Sequence, residues 1–216
     1  MNLNNFFLKI SICAVSFLLF CSAYASTSIN QEPIEELDRH VLMIAKNALK
    51  KVEKKLGIEA KTVVTVIDFS KPSTQKRLWV IDTKTKKIIF NTWVAHGKNS
   101  GFLNSSHFSN KPNSHQSSLG VYLTKGKYQG QHGTSIVLEG LEPEFNSNAQ
   151  TRGIIMHSAS YASRNFLKAN GRLGRSLGCF SLDPTIGNDI MNYIYSNTLL
   201  IAYYPDEQWL KTSQFT

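Results

Sequence analysis

The sequence predicts a mostly-β domain with helices packed outside it. Three observations predict this. From residue 62 onward apolar residues recur with a period of two, enriched in β-branched and aromatic types. Turn-forming residues separate these runs. Helical spacing is clear only over Ile34–Leu56 and Ile186–Ser196. The chain has 216 residues, 42% hydrophobic and 11% aromatic, enough for one sizeable core, which excludes wholesale disorder.

The chain opens with a polar stretch and Lys9, then an apolar run from Ile10 to Cys21, then Ser22-Ala23-Tyr24-Ala25. This is the pattern of a secretory signal peptide cleaved after Ala25. The run is too short for a transmembrane helix, which needs ~20 apolar residues. Phe20 before Cys21 argues against a lipoprotein signal. Export to the periplasm or cell envelope follows, with no membrane span left after cleavage. Cleavage removes Cys13 and Cys21 of the three cysteines and leaves Cys179 alone. An exported chain with one thiol has either an inert buried cysteine or a reactive one. The net charge of +9 raises the question of an anionic partner. The basic residues are scattered, however, and export argues against nucleic acid.

After a polar lead, Leu37, Val41, Leu42, Ile44, Ala45, Ala48, Leu49, Val52 and Leu56 give one apolar helix face, with Gly57 as the stop. Residues 26–59 are thus an N-terminal helical segment packed on the domain that follows, over residues 60–216. Strands are expected at Thr62–Phe69, Arg77–Asp82, Lys87–Ala95, Gly120–Thr124, Thr134–Glu139, Gly153–His157 and Thr198–Tyr204. Thr83–Lys86 reads as a hairpin turn, and the late helix starts near Asp183-Pro184.

Two stretches lack a period. His96–Leu119 holds seven serines and four asparagines, long enough to read as a functional loop. Ser158–Gly178 contains a possible helical turn at Tyr161–Lys168 and then the glycine-rich run ending in Leu177-Gly178-Cys179. Cys179 lies where a backbone can approach a ligand. Arg172 and Arg175 nearby are expected to lower its pKa. His157 ends an apolar strand beside the loop. Cysteine plus histidine supplies a nucleophile and base for acyl transfer, and glycine-loop amides supply an oxyanion hole. On composition alone, a buried structural cysteine and a hydrogen-bonded structural histidine remain open.

His157 followed by Ser176-Leu177-Gly178-Cys179 resembles the signature of the L,D-transpeptidase (YkuD-like) catalytic domain. His96-Gly97-Lys98-Asn99-Ser100, Ser117-Ser118-Leu119-Gly120, Tyr128-x-Gly130-x-His132-Gly133, Leu138-x-Gly140-Leu141-Glu142 and Gly171–Ser176 are similar to its murein L,D-transpeptidase branch. The resemblance covers roughly residues 60–205. It implies a β-sandwich or barrel-like catalytic domain that needs neither metal nor organic cofactor. It implies Cys179 as nucleophile, His157 as base and later acid, and the Ser158 carbonyl as the group orienting His157. Amides of Gly178 and Cys179 would hold the oxyanion. The partners would be peptidoglycan stem peptides, as acyl donor and acceptor. The products would be an L,D cross-link or, with water, carboxypeptidation. Leu177 and Ser181 stand where many family members have a histidine and an arginine. Arg175 is the preferred replacement for that arginine, ahead of Arg172 and Arg152, and Tyr161 and Tyr128 are candidates for the donor groove.

Rival readings are weaker. No histidine pair has HExxH spacing for a metal hydrolase. Ser73-Thr74-Gln75-Lys76 matches S-x-x-K but runs into a strand and lacks a KTG partner. A peptidoglycan amidase or hydrolase on the same fold and a non-catalytic peptidoglycan-binding protein remain as alternatives.

Overall fold

The computed structural model describes residues 36–57, 59 and 61–216. The signal-peptide segment lies outside the described residues. Among those described, no helix is long and apolar enough to cross a membrane.

Helix α1 spans Arg39–Leu56. The Asp38 carboxylate caps it by accepting from His40 N and Val41 N, and Gly57 ends it at φ 61°. Its buried stripe is Val41, Ile44, Ala45, Ala48, Leu49 and Val52, and fully burying each Val, Leu or Ile contributes ~1.5–3 kcal/mol. The helix starts later than the apolar spacing suggests, because Asp38 takes the first amides.

Nine strands form one sheet among the described residues: β1 Val63–Asp68, β2 Leu78–Asp82, β3 Lys87–Thr92, β4 Val94–Ala95, β5 Gly120–Gly130, β6 Gly133–Gly140, β7 Ile155–Ser158, β8 Phe180–Leu182 and β9 Leu199–Tyr203. Their order is β3-β2-β1-β9-β5-β6-β7-β8-β4. The strand expected at Lys87–Ala95 is broken at Trp93. Its two parts lie on opposite edges of the sheet, although one residue separates them in the chain. The sheet must therefore curl until its edges approach, giving a nearly closed, barrel-like form. β1 and β9 run parallel, as do β7 and β8, and the other neighbouring strands are antiparallel.

Side chains alternate between two cores. Ile67, Leu78, Val80, Tyr122, Ile136, Leu138, Met156, Phe180, Leu182 and Leu200 form the interior, closed by Ile190, Met191 and Ile194. These last three belong to the helix Pro184–Ile194, capped by Asp183. Val64, Val66, Trp79, Ile81, Leu199 and Ile201 face the other way, against α1. Both faces of β1, β2 and β9 are thus covered, and these strands are apolar almost throughout. Shorter helices lie at Arg164–Asn170 and Glu207–Thr212, with a single 3-10 turn at Ser160–Ala162. β8 and the Glu207–Thr212 helix were not expected from the sequence, because three and six residues show no period.

Candidate functional site

The curled sheet brings His157 on β7 beside the residue that begins the approach to β8, Cys179. Both line a cavity of about 580 Å³. Tyr128, Gly130, Gln131 and His132 from the β5–β6 hairpin form one wall, and Arg152, Gly153, Tyr161, Arg175, Ser176 and Leu177 contribute to the rest.

His157 is buried, with 2% of its surface exposed. Its Nδ1 lies 2.9 Å from Ser158 O. A carbonyl can only accept, so Nδ1 carries the proton and Nε2 presents its lone pair. Burial holds the His157 pKa below the usual imidazole value; the Ser158 carbonyl opposes this and the charge of His132 adds to it. The His132 ring stacks on His157 with centroids 4.4 Å apart and an interplanar angle of 23°. Burial and the neighbouring ring thus favour the neutral form of His157.

Cys179 is partly exposed and its thiol is free. Sγ donates to Gly153 O at 3.4 Å. Burial pushes the thiol pKa up, while the N–H groups of Ile155 and Cys179 itself and the charge of Arg152 oppose this. The sequence expectation of a lowered pKa from Arg172 and Arg175 is corrected here. Desolvation outweighs the nearby charge, and the charge that acts is Arg152.

The chain before Cys179 is held from two sides. Ser176 N donates to His96 O at 2.9 Å, and Lys98 N donates back to Ser176 O at 2.8 Å. Ser117 Oγ donates to Gly178 O at 2.9 Å. Gly178 has φ 128°, and a Cβ there would sit 2.5 Å from Ile154 Cδ1 and 2.9 Å from Gln116 O. Gly178 N donates to Ser176 Oγ at 3.0 Å. That amide is engaged within the loop. Of the amide pair expected at Gly178 and Cys179, the Gly178 N–H is taken up by Ser176, and the N–H groups near the sulfur are those of Cys179 and Ile155. Gly178 contributes its backbone angle.

The basic residues divide. The Arg152 guanidinium donates to Ser109 O, to Ser118 Oγ at 2.6 Å, to Ser114 Oγ at 2.8 Å and to Gln116 O at 2.7 Å. It pins the 96–119 loop while lining the cavity. Arg175 Nη1 donates to Lys98 O at 3.0 Å and Gly101 O at 3.1 Å. Its guanidinium also lies 5.2 Å from the Phe102 ring centroid. Arg172 donates to Leu173 O and lies 4.1 Å from the same ring, outside the cavity lining. His96 sits beneath the loop: Arg77 Nη2 donates to its Nδ1 at 2.7 Å, so its Nε2–H faces Gly101 O at 3.3 Å. Ser73 of the S-x-x-K match is buried and does not line the cavity.

Sequence reasoning missed one feature. Ser181, read there only as a departure from the family pattern, places Oγ 3.1 Å from His157 Nε2. Tyr161 OH lies 2.9 Å from the same Ser181 Oγ. Strand pairing would have revealed it, because His157 and Ser181 are register partners across β7 and β8.

The curled sheet thus carries a free cysteine and a carbonyl-bonded histidine onto one cavity. The chain belongs to the L,D-transpeptidase catalytic domain family, whose model matches residues 34–203. No curated protein matches it. Among solved structures it is similar to an L,D-transpeptidase from Mycobacterium smegmatis, at 12% identity over 66% of this chain and 59% of that one, with a TM-score of 0.42. It is also similar to an L,D-transpeptidase from Mycobacterium tuberculosis H37Rv, at 16% identity over 66% and 58%, with a TM-score of 0.39. A third, the L,D-transpeptidase (Yku) from Stackebrandtia nassauensis, shares 15% identity over 74% and 66%, with a TM-score of 0.37. The match spans about three-fifths of the length of the first two.

Proposed function

We propose that this chain is an exported acyltransferase that acts on peptidoglycan stem peptides through a Cys179 thioester. The observation that carries the reading is that Cys179 and His157 line one cavity, with His157 Nδ1–H donated to Ser158 O so that Nε2 carries the lone pair. Family membership supplies the substrate class. The amino-terminal segment supplies the export.

His157 Nε2 takes the proton from Cys179 Sγ as the sulfur attacks the donor carbonyl at the L-centre of the third stem residue. A neutral base is the form needed, and burial of His157 keeps it so. Negative charge on the carbonyl oxygen is met by the N–H groups near the sulfur, those of Cys179 and Ile155. The tetrahedral intermediate collapses, the C–N bond to the terminal D-Ala breaks, and the leaving amine takes the proton from His157 Nε2. An acceptor amine then gives its proton to Nε2, attacks the thioester carbonyl and frees the thiol. Water in place of the amine gives a carboxylate and net carboxypeptidation. The half-exposed Tyr128 and Arg175 are among the residues lining the cavity and are the candidate binding groups for the donor.

Wild type and Cys179→Ala are incubated with tetrapeptide muropeptides and the products weighed by mass spectrometry. Cross-linked dimers or D-Ala release from wild type and none from a folded Cys179→Ala variant are expected. Turnover that survives Cys179→Ala overturns the reading. Binding of sacculi without any turnover in wild type points instead to a non-catalytic binding protein.

A further inference from the structure

Every proton in the buried chain beside His157 can be placed. Ser158 O accepts from Nδ1–H, so Nε2 can only accept. Ser181 Oγ, 3.1 Å away, must be the donor to Nε2. Having used its only hydrogen, the Ser181 oxygen accepts from Tyr161 OH at 2.9 Å. Ser181 has no exposed surface and His157 has 2%, so no water replaces these bonds freely. The thiol is bonded elsewhere as well, to Gly153 O at 3.4 Å. The lone pair that should take the thiol proton is occupied, and so is the thiol proton.

We propose that Ser181, held by Tyr161, is a positioning residue that caps His157 Nε2 in the resting enzyme and keeps Cys179 a neutral, poorly nucleophilic thiol until a substrate enters the cavity. This rests on the acyl-transfer reading of the site and adds to it a latency device. Its use in an exported protein is physical. A lone thiol outside the cytoplasm meets oxidants, and the thiolate is the form they attack. The other charged or titratable groups at this spot are His132 over the ring, Arg152 on the cavity wall and Cys179 itself. Of these, the Cys179 thiol could donate to Nε2, and its hydrogen is taken by Gly153 O.

The test is the pH dependence of Cys179 alkylation by iodoacetamide, in which the thiolate displaces iodide and a C–S bond replaces the C–I bond. Wild type, Ser181→Ala, Tyr161→Phe and Ser181→Ala/His157→Gln are compared. Removing the cap leaves Nε2 free to take the thiol proton. Ser181→Ala should therefore alkylate faster at pH 7, by roughly threefold or more, with its profile displaced to lower pH. Tyr161→Phe should move the same way by less. His157→Gln in the Ser181→Ala background should abolish the gain. A profile in Ser181→Ala that superimposes on wild type, or a slower reaction, overturns the proposal. Should Ser181→Ala fail to fold, an unchanged profile in Tyr161→Phe overturns it equally. Alkylation needs no transpeptidation, so failure here is distinct from turnover surviving Cys179→Ala, which overturns the enzymatic reading.

Discussion

The imidazoles of His132 and His157 stack at 4.4 Å, although one comes from the exposed β5–β6 turn and the other from the buried strand β7. The stack shields His157 from water and sets a second titratable ring against it. Both effects disfavour the imidazolium form. Replacing His132 with alanine removes both, so the His157 pKa should rise. A base must be unprotonated to act, and the acid limb of kcat/KM should therefore move to higher pH. Proton titration of the His157 ring by NMR checks the same shift without substrate. An acid limb that stays in place shows that the stack is packing alone.

His96 makes a larger acid-sensitive contribution, to stability. Burial, followed by the charge of Arg77, lowers its pKa to about 3. The unfolded chain protonates this histidine near pH 6.5, and the native state refuses the proton until about pH 3. Between those values the unfolded state binds more protons, so stability falls as pH falls. Glutamine can accept from Arg77 through Oε1 and donate to Gly101 O through its amide, without titrating. Chemical denaturation at pH 7.5 and pH 4.5 should show wild type losing about 2–3 kcal/mol more than His96→Gln. Equal losses would show that His96 is protonated in the native state.

These three histidines mark where the sequence was and was not legible. The α1 helix was readable because its apolar stripe and Gly57 are local signals. Most strands were readable from their period of two, and Cys179 with His157 stood out as a motif. What escaped depends on contacts between distant positions. The strand broken at Trp93 becomes two opposite sheet edges only when the sheet closes. β8 has three residues, too few to show a period, yet it carries Ser181 to His157. Arg152 was read as a substrate ligand, and its four acceptors, 34 to 43 residues away in the chain, were invisible until the 96–119 loop folded over it. The direction of the Cys179 shift was misread for a related reason. Neighbouring arginines are visible in a sequence, and burial is not.

Gly178 tests how far the loop geometry controls the nucleophile. Its φ of 128° lies where side chains are strained, and Ile154 and the Gln116 carbonyl occupy the space a methyl would need. Gly178→Ala should destabilise the fold by about 2 kcal/mol or more. The larger effect should fall on turnover, because Cys179 and its own N–H follow directly. A loss of roughly a hundredfold in kcat, with KM little changed, matches displacement of a group that acts in the transition state. Thermal unfolding and steady-state kinetics on the same preparation separate the two effects. Retained kcat would mean that the glycine serves folding only.

The Glu142 carboxylate anchors the carboxy-terminal segment away from the Cys179 cavity. It accepts from Val121 N at 2.6 Å, from Trp209 Nε1 at 3.1 Å and from Ser213 Oγ. Burial raises its pKa, against the pull of those donors. Every partner presents a hydrogen, so a glutamine there turns one acceptor into a donor facing donors. Glu142→Gln should cost about 1–3 kcal/mol. Trp209→Ala removes a side chain with no exposed surface and should cost about 3–5 kcal/mol. Once Trp209 is gone, its share of the Glu142 penalty is already lost, so the double variant should be less destabilised than the sum by about 1 kcal/mol. Neither residue lines the cavity around Cys179, so the alkylation profile of Cys179 should be unchanged in any variant that folds. Strict additivity in denaturant titrations would show that the indole stabilises the fold by packing and not through Glu142.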